Sequence, residues 1–123
     1  MARPALEFFN PEEISWDPYV VQGKDMDSVL IKYLSLDEET GANTHLVKYP
    51  KGFKDPSLNY HPVTEEIFIV RGRIRMEGKE YGKGYYAFRP VGMVHGDWEV
   101  LEETILLISL SGPVEYIETQ KIL

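Results

Sequence analysis

From residue 52 onward, short apolar runs are broken by glycine and proline at close, even spacing. Residues 65–70, 73–76, 85–88, 94–100, 104–110 and 113–118 read as strands, separated by Gly72, Glu77-Gly78, Gly82-Lys83-Gly84, Pro90-Val91-Gly92 and Ser111-Gly112-Pro113. No segment there carries helical periodicity. Many short strands joined by turns predict an all-β sandwich or small barrel of the jelly-roll kind. Upstream, residues 28–35 and 43–49 read as a hairpin closed by Asp37-Glu38-Glu39-Thr40-Gly41. Residues 6–21 mix aromatic and branched side chains with Pro11 and Pro18, which predicts an edge strand and a wrapping arm. Asn10-Pro11-Glu12-Glu13 predicts a single helical turn, with Asn as cap and Pro first inside. The 65–70 strand is apolar on both faces, Ile67 and Ile69 on one and Phe68 and Val70 on the other. It needs cover on both sides, from the N-terminal arm or a second subunit.

A chain of 123 residues with 43% hydrophobic and 27% charged positions suits one soluble globular domain, residues 1–123, in which 1–40 form the arm and edge strands. A formal net charge of −7 without a basic cluster argues against nucleic acid and against an anionic membrane surface. With no cysteine there is no disulfide frame, thiolate zinc site or cysteine nucleophile, and the expected location is cytoplasmic. The N-terminus lacks the long apolar core of a signal peptide, and the longest apolar run, 105–110, is too short for a bilayer.

Candidate chemistry gathers where the regular strands begin. In Asn59-Tyr60-His61-Pro62-Val63-Thr64-Glu65-Glu66 metal-ligating side chains run straight into a strand, and His95 follows a strand and a Pro/Gly turn. Residues two or four apart on a strand share a face, so Asn59, His61 and Glu65 are able to share one cavity. Glu65 and Glu66 point to opposite faces, and only one of them reaches it. Two imidazoles and one carboxylate leave coordination positions open and suit Fe(II), Mn(II) or Zn(II). Asn59 would add a weak fourth donor, its amide oxygen; the alternative is a polar cavity that has lost its ion. His95, Asp97 and Glu99 alternate on one face, making Glu99 an acid/base candidate provided no bulge resets the alternation. His45 alternates with Val47 and Tyr49 and is expected in the core or at the pocket. The expected pocket residues are His45, Tyr49, Phe53 and Glu66.

These residues resemble the cupins. The second cupin motif, Gly-x5-Pro-x-Gly-x2-His-x3-Asn, is matched by Gly84, Pro90, Gly92 and His95, with Glu99 where Asn is usual. The first, Gly-x5-His-x-His-x3,4-Glu-x6-Gly, is matched by His61, Glu65 and Gly72. Asn59 stands in place of the leading histidine, and Gly52 lies one residue too far upstream. Glu65 fits both gaps of the motif, whereas Glu66 fits only the longer permitted gap from His61, so the resemblance selects Glu65. The resemblance covers residues 44–110, the expected barrel core. Within it, Leu46-Val47-Lys48-Tyr49-Pro50-Lys51-Gly52-Phe53 is similar to the strand that precedes the first motif in zinc-binding cupins related to anti-sigma factors. It implies the double-stranded β-helix fold, a divalent transition metal on His61, Glu65 and His95, and a homodimer.

Cupins serve many functions. Two expectations from different classes follow: a metal-dependent enzyme on a small organic substrate, an oxygenase of the diketone-cleaving kind, or a non-catalytic module that binds or senses a metal or small ligand. The helical sigma-binding domain of the anti-sigma proteins has no counterpart in these 123 residues.

Overall fold

The computed structural model describes residues 3–118. Among them the strands, all antiparallel, are β1 (Asp17–Val21), β2 (Lys24–Leu36), β3 (Asn43–Tyr49), β4 (Lys54–Tyr60), β5 (Glu65–Met76), β6 (Lys79–Gly82), β7 (Tyr86–Arg89), β8 (His95–Leu110) and β9 (Ile117–Glu118). They form one curled sheet of the cupin jelly-roll kind. A single 3₁₀ turn, Pro11–Glu13, precedes them, its free Glu12 N–H donating to the Asn10 side chain at 3.0 Å. No described helix is long and apolar enough to cross a membrane.

β8 is the spine. One of its edges pairs with β4 near the start, Asn59↔His95 to Lys54↔Glu99, and with β3 near the end, Tyr49↔Thr104 to Asn43↔Leu110. The other edge pairs with β5, from Met76↔Trp98 to Glu65↔Leu110. β5 turns in register onto β6 and then β7, and β2 pairs with β3 as the expected hairpin. Alternation along β3 and β8 sends Val47, Val100, Leu106, Ile108 and Leu110 into a core shared with Val29, Ile31, Ile69 and Ile74. On the outer face of β5, Phe68 and Val70 stay exposed, as does Phe8 of the N-terminal arm.

Several expected breaks are absent. Residues 65–76 form one strand, because Gly72 makes a bulge rather than a turn: the β5–β8 register shifts on both sides of it and its φ is +101°. The irregular pairing there, five steps along β5 against six along β8, keeps Ile69 and Ile74 both on the buried side. The segments expected at 94–100 and 104–110 likewise form one long strand, His95–Leu110, rather than two, while in 113–118 only Ile117–Glu118 pair. Two strands had no clear signal: β4 contains Pro56 and polar residues, and β6 spans four residues in a stretch rich in turn formers.

His45 belongs to the core. It is 2% exposed and faces Tyr33 and Tyr19, with ring centroids 5.6 and 6.3 Å away. The Asn43 amide nitrogen donates to the Gly41 carbonyl, so its oxygen, 2.8 Å from His45 Nδ1, accepts from the ring. Burial lowers the His45 pKa from 6.5 to about 4.

Two predictions follow from this core. A methyl group at Gly72 would meet Thr104 Oγ1 and, at 2.6 Å, the Glu103 carbonyl, at a φ that side chains avoid. Gly72→Ala should therefore cost about 2–5 kcal/mol in urea unfolding from strain and overpacking together; a loss within about 0.5 kcal/mol, as at an ordinary surface site, would remove the bulge from the stabilising features. Because His45 takes up its proton at lower pH folded than unfolded, its contribution is fully present above about 6.5 and is lost between about 6.5 and 4. The slope is up to about 1.4 kcal/mol per pH unit. Urea midpoints across that range should flatten by about one proton in His45→Gln, and an unchanged slope would show that His45 does not titrate there.

Candidate metal centre and its cavity

The strand β5 opens with Glu65, and β7 closes with Arg89 directly opposite it. β4 ends one residue before His61, and β8 begins with His95. The register Asn59↔His95 brings the two histidine segments together. Glu65 Oε1 lies 3.6 Å from His61 Nε2 and 4.0 Å from His95 Nε2, and one donor atom of each residue falls within 4.8 Å of the others. All three residues are buried.

These side chains fit a divalent ion on two counts. Both Nε2 atoms are buried without a hydrogen-bond partner, an expensive condition for an imidazole nitrogen unless something binds it. His61 Nδ1 lies 2.8 Å from the Glu115 carbonyl, which only accepts; the proton is therefore on Nδ1, and Nε2 offers a bare lone pair. Donor separations of 3.6 and 4.0 Å from Glu65 Oε1 would suit a shared ion, whose bonds to such donors are about 2.0–2.2 Å. Burial first, then the Arg89 guanidinium and His61, lower the His95 pKa to about 3, which keeps that ring neutral as a ligand must be.

Asn59 is buried beside the trio, and its Nδ2 is held by Ser57 Oγ at 3.1 Å, which is itself hydrogen-bonded to Asp55. A polar file of Asp55, Ser57 and Asn59 thus runs along one face of β4. Glu99 is not at the centre. Gly96 (φ +143°) and Asp97 (φ +49°) bulge β8 after His95 and reset its alternation, so that Trp98 lines the cavity and Glu99 turns out to Arg75 at 2.9 Å and Lys54 at 3.8 Å. A Cβ at Gly96 would run into the Ser57 carbonyl, so the bulge requires glycine.

Glu65 and His95 of the trio line a cavity of about 520 Å³, together with Ile67, Ile69, Ile74, Met76, Trp98 and Ile108 and with Tyr49, Tyr81 and Tyr116; Tyr85, Tyr86, Phe88 and Met93 mark its exposed side. Of the four expected pocket residues only Tyr49 lines it. Glu66 is on the outside, accepting from the Tyr86 hydroxyl at 2.6 Å, because β5 alternation turns it away from Glu65. Phe53 packs behind the wall, 5.0 Å from Tyr49 and 5.6 Å from Trp98 between ring centroids, and His45 is in the core.

Two participants carry no motif signal. Arg89 Nη1 donates to Glu65 Oε1 at 2.8 Å and Nη2 to the Met76 sulfur at 3.0 Å, in a residue 9% exposed. Its only trace in the sequence is a charge ending the apolar run Tyr85-Tyr86-Ala87-Phe88 on the side of Ala87. Tyr116 packs edge-on against His61, with ring centroids 4.8 Å apart, and its hydroxyl is hydrogen-bonded to Tyr19 and Tyr49. Burial raises the pKa of all three phenols, so the cluster is neutral.

Among solved structures the chain is similar to an RmlC-like cupin protein from Ralstonia eutropha JMP134 (17% identity, TM-score 0.72, covering 93% of this chain and 80% of that one). It is also similar to an acetylacetone dioxygenase from Acinetobacter johnsonii (18%, 0.67, 94% and 87%) and to the polyketide cyclase RemF from Streptomyces resistomycificus (14%, 0.70, 96% and 88%). At these identities the likeness is one of fold. No curated protein matches in sequence. The ChrR cupin-like domain model matches residues 7–115, nearly the whole chain, and the protein belongs to that family.

Proposed function

We propose that this cupin is a metal-dependent enzyme acting on a small organic substrate, with His61, Glu65 and His95 as protein ligands and diketone cleavage as the leading reaction. The observation that carries the reading is the pair of buried, partnerless Nε2 atoms converging with Glu65, where Glu65 and His95 open onto a largely apolar cavity. A divalent ion bound there supplies a Lewis-acid centre with open positions. The protein's own part is to hold the His61 tautomer through Glu115, to keep His95 neutral, and to enclose the substrate between Trp98, Tyr49 and the isoleucines. Likeness in fold to an acetylacetone dioxygenase supports the reaction type. The match to the ChrR cupin-like model supports a second reading, a non-catalytic binding module. Exposed Phe68 and Val70 on the outer face of β5 support pairing of two copies.

Metal binding is tested first. Protein purified without a histidine tag should bind one Zn(II), Mn(II) or Fe(II) per chain, and an ion at one hundred times its Kd should raise stability by about 2.7 kcal/mol. His61→Ala and His95→Ala should each lose more affinity than the roughly 10- to 100-fold typical of an outer-sphere change; titrations identical to wild type would remove these residues from the ligand set. Oxygen uptake by the Fe(II)-loaded protein with a diketone then separates the enzyme from the module, since bound metal without uptake or cleavage product leaves only the second.

Asn59→His provides a further test. It places an imidazole beside His95 and should tighten metal binding while reducing turnover, because one open position is filled. Equal and negligible metal binding by both proteins would leave a polar pocket in a cupin fold.

A further inference from the structure

The charges around the metal trio constrain what else the cavity takes. Glu65 is the carboxylate of the trio, and its charge is cancelled by the guanidinium of Arg89, 2.8 Å away. The other charged lining residues, Glu77 and Lys79, are exposed and opposite in sign. Asp55, whose carboxylate accepts from the Ser57 N–H and hydroxyl, does not line the cavity. A divalent ion bound by the trio would therefore meet a cavity lining with no net charge to offset it. Two positive charges in a poorly solvated cavity call for anionic ligands from outside.

Arg89 also has donor capacity to spare. Nη2 is given to a thioether, a weak acceptor, from a side chain that lines the cavity beside Glu65 and His95. A guanidinium so placed prefers a negatively charged oxygen to sulfur. Beyond it the walls are apolar and aromatic, and about 520 Å³ is room for a ligand of drug-like size.

We propose that Arg89 is a specificity-determining residue, making the cavity selective for an organic anion that offers two oxygens to the ion, presents one of them to Nη2, and carries a broad apolar body. An enolised diketone on an aromatic body has this chemistry. The inference rests on the metal reading above.

Benzoylacetone, whose enolate absorbs differently from its neutral form, is the probe, with butyrophenone as a neutral control of similar size. Zinc binding is measured by calorimetry on wild type, Arg89→Met and Arg89→Lys before either probe is added. Zinc-loaded wild type should bind benzoylacetone as the enolate, at least about tenfold tighter than butyrophenone. Arg89→Met should retain zinc and bind benzoylacetone about 10- to 100-fold more weakly, with butyrophenone changed less than about twofold, since a neutral ketone gains no charge-assisted bond. Arg89→Lys, which preserves the charge opposite Glu65 should Arg89→Met fail to fold, should weaken benzoylacetone by about tenfold through loss of the two-pronged donor. Failure of wild type to bind zinc overturns the metal reading and this inference with it. Stoichiometric zinc with wild-type benzoylacetone affinity in a folded Arg89 variant overturns the inference alone, and so does loss of zinc by Arg89→Lys, which would make Arg89 a structural residue.

Discussion

The structure depends on where a buried carboxylate finds its counter-charge. Glu65 is 6% exposed at the head of the longest run of β5–β8 pairing, and a carboxylate so placed is not tolerated alone. Arg89 supplies the charge from the facing position of β7, and neither residue reaches the other unless β5, β6 and β7 fold back in the observed register. Removing one partner from such a pair is costlier than never having built it, typically 3–5 kcal/mol. A pair this expensive between two well-packed strands is weak evidence for stability. It is better evidence that the site needs a fixed carboxylate oxygen at that point.

The same economy of position explains the bulges. β8 serves three neighbours, and a regular strand of sixteen residues would keep one set of side chains inward throughout. The irregular backbone at Gly96 and Asp97 lets His95 face Glu65 and lets Trp98, three residues on, face the same cavity. On β5 the bulge at Gly72 does the equivalent for Ile69 and Ile74. Each irregularity changes which residues share a face, so chemistry at one end of a strand and core at the other are compatible.

The all-β class, the 43–49 hairpin partner and the cupin resemblance were legible because hydrophobic alternation and turn residues are local signals. Spacing alone also picked out His61, Glu65 and His95, whose side chains the fold brings together. What was not legible depends on non-local pairing. Gly72 reads as a turn until its neighbours are known, and Glu99 reads as inward until Gly96 and Asp97 shift the phase. β4 was invisible because Pro56 and a polar face contradict strand propensity, a conflict resolved by its pairing with β8 and by the hydrogen bonds among Asp55, Ser57 and Asn59. Arg89 and Tyr116 come from segments with no ligand pattern, and only the register of β5 with β7 and of β4 with β9 brings them to the site.

Asn59 then has a physical account that its sequence position alone does not supply. Its amide is fixed from one side by Ser57, and Ser57 in turn by Asp55, so the side chain is oriented by a short hydrogen-bonded file rather than left to fill space. A histidine there would have to displace that file or share its nitrogen with it. With asparagine, the protein supplies two imidazoles and one carboxylate, and the carboxylate is already shared with Arg89. Such a set donates less charge and fewer ligands to an ion than three imidazoles and an unshared carboxylate would. On the reading proposed above, such a deficit on the protein's side would favour an anionic, chelating ligand, which links the asparagine at position 59 to the guanidinium of Arg89.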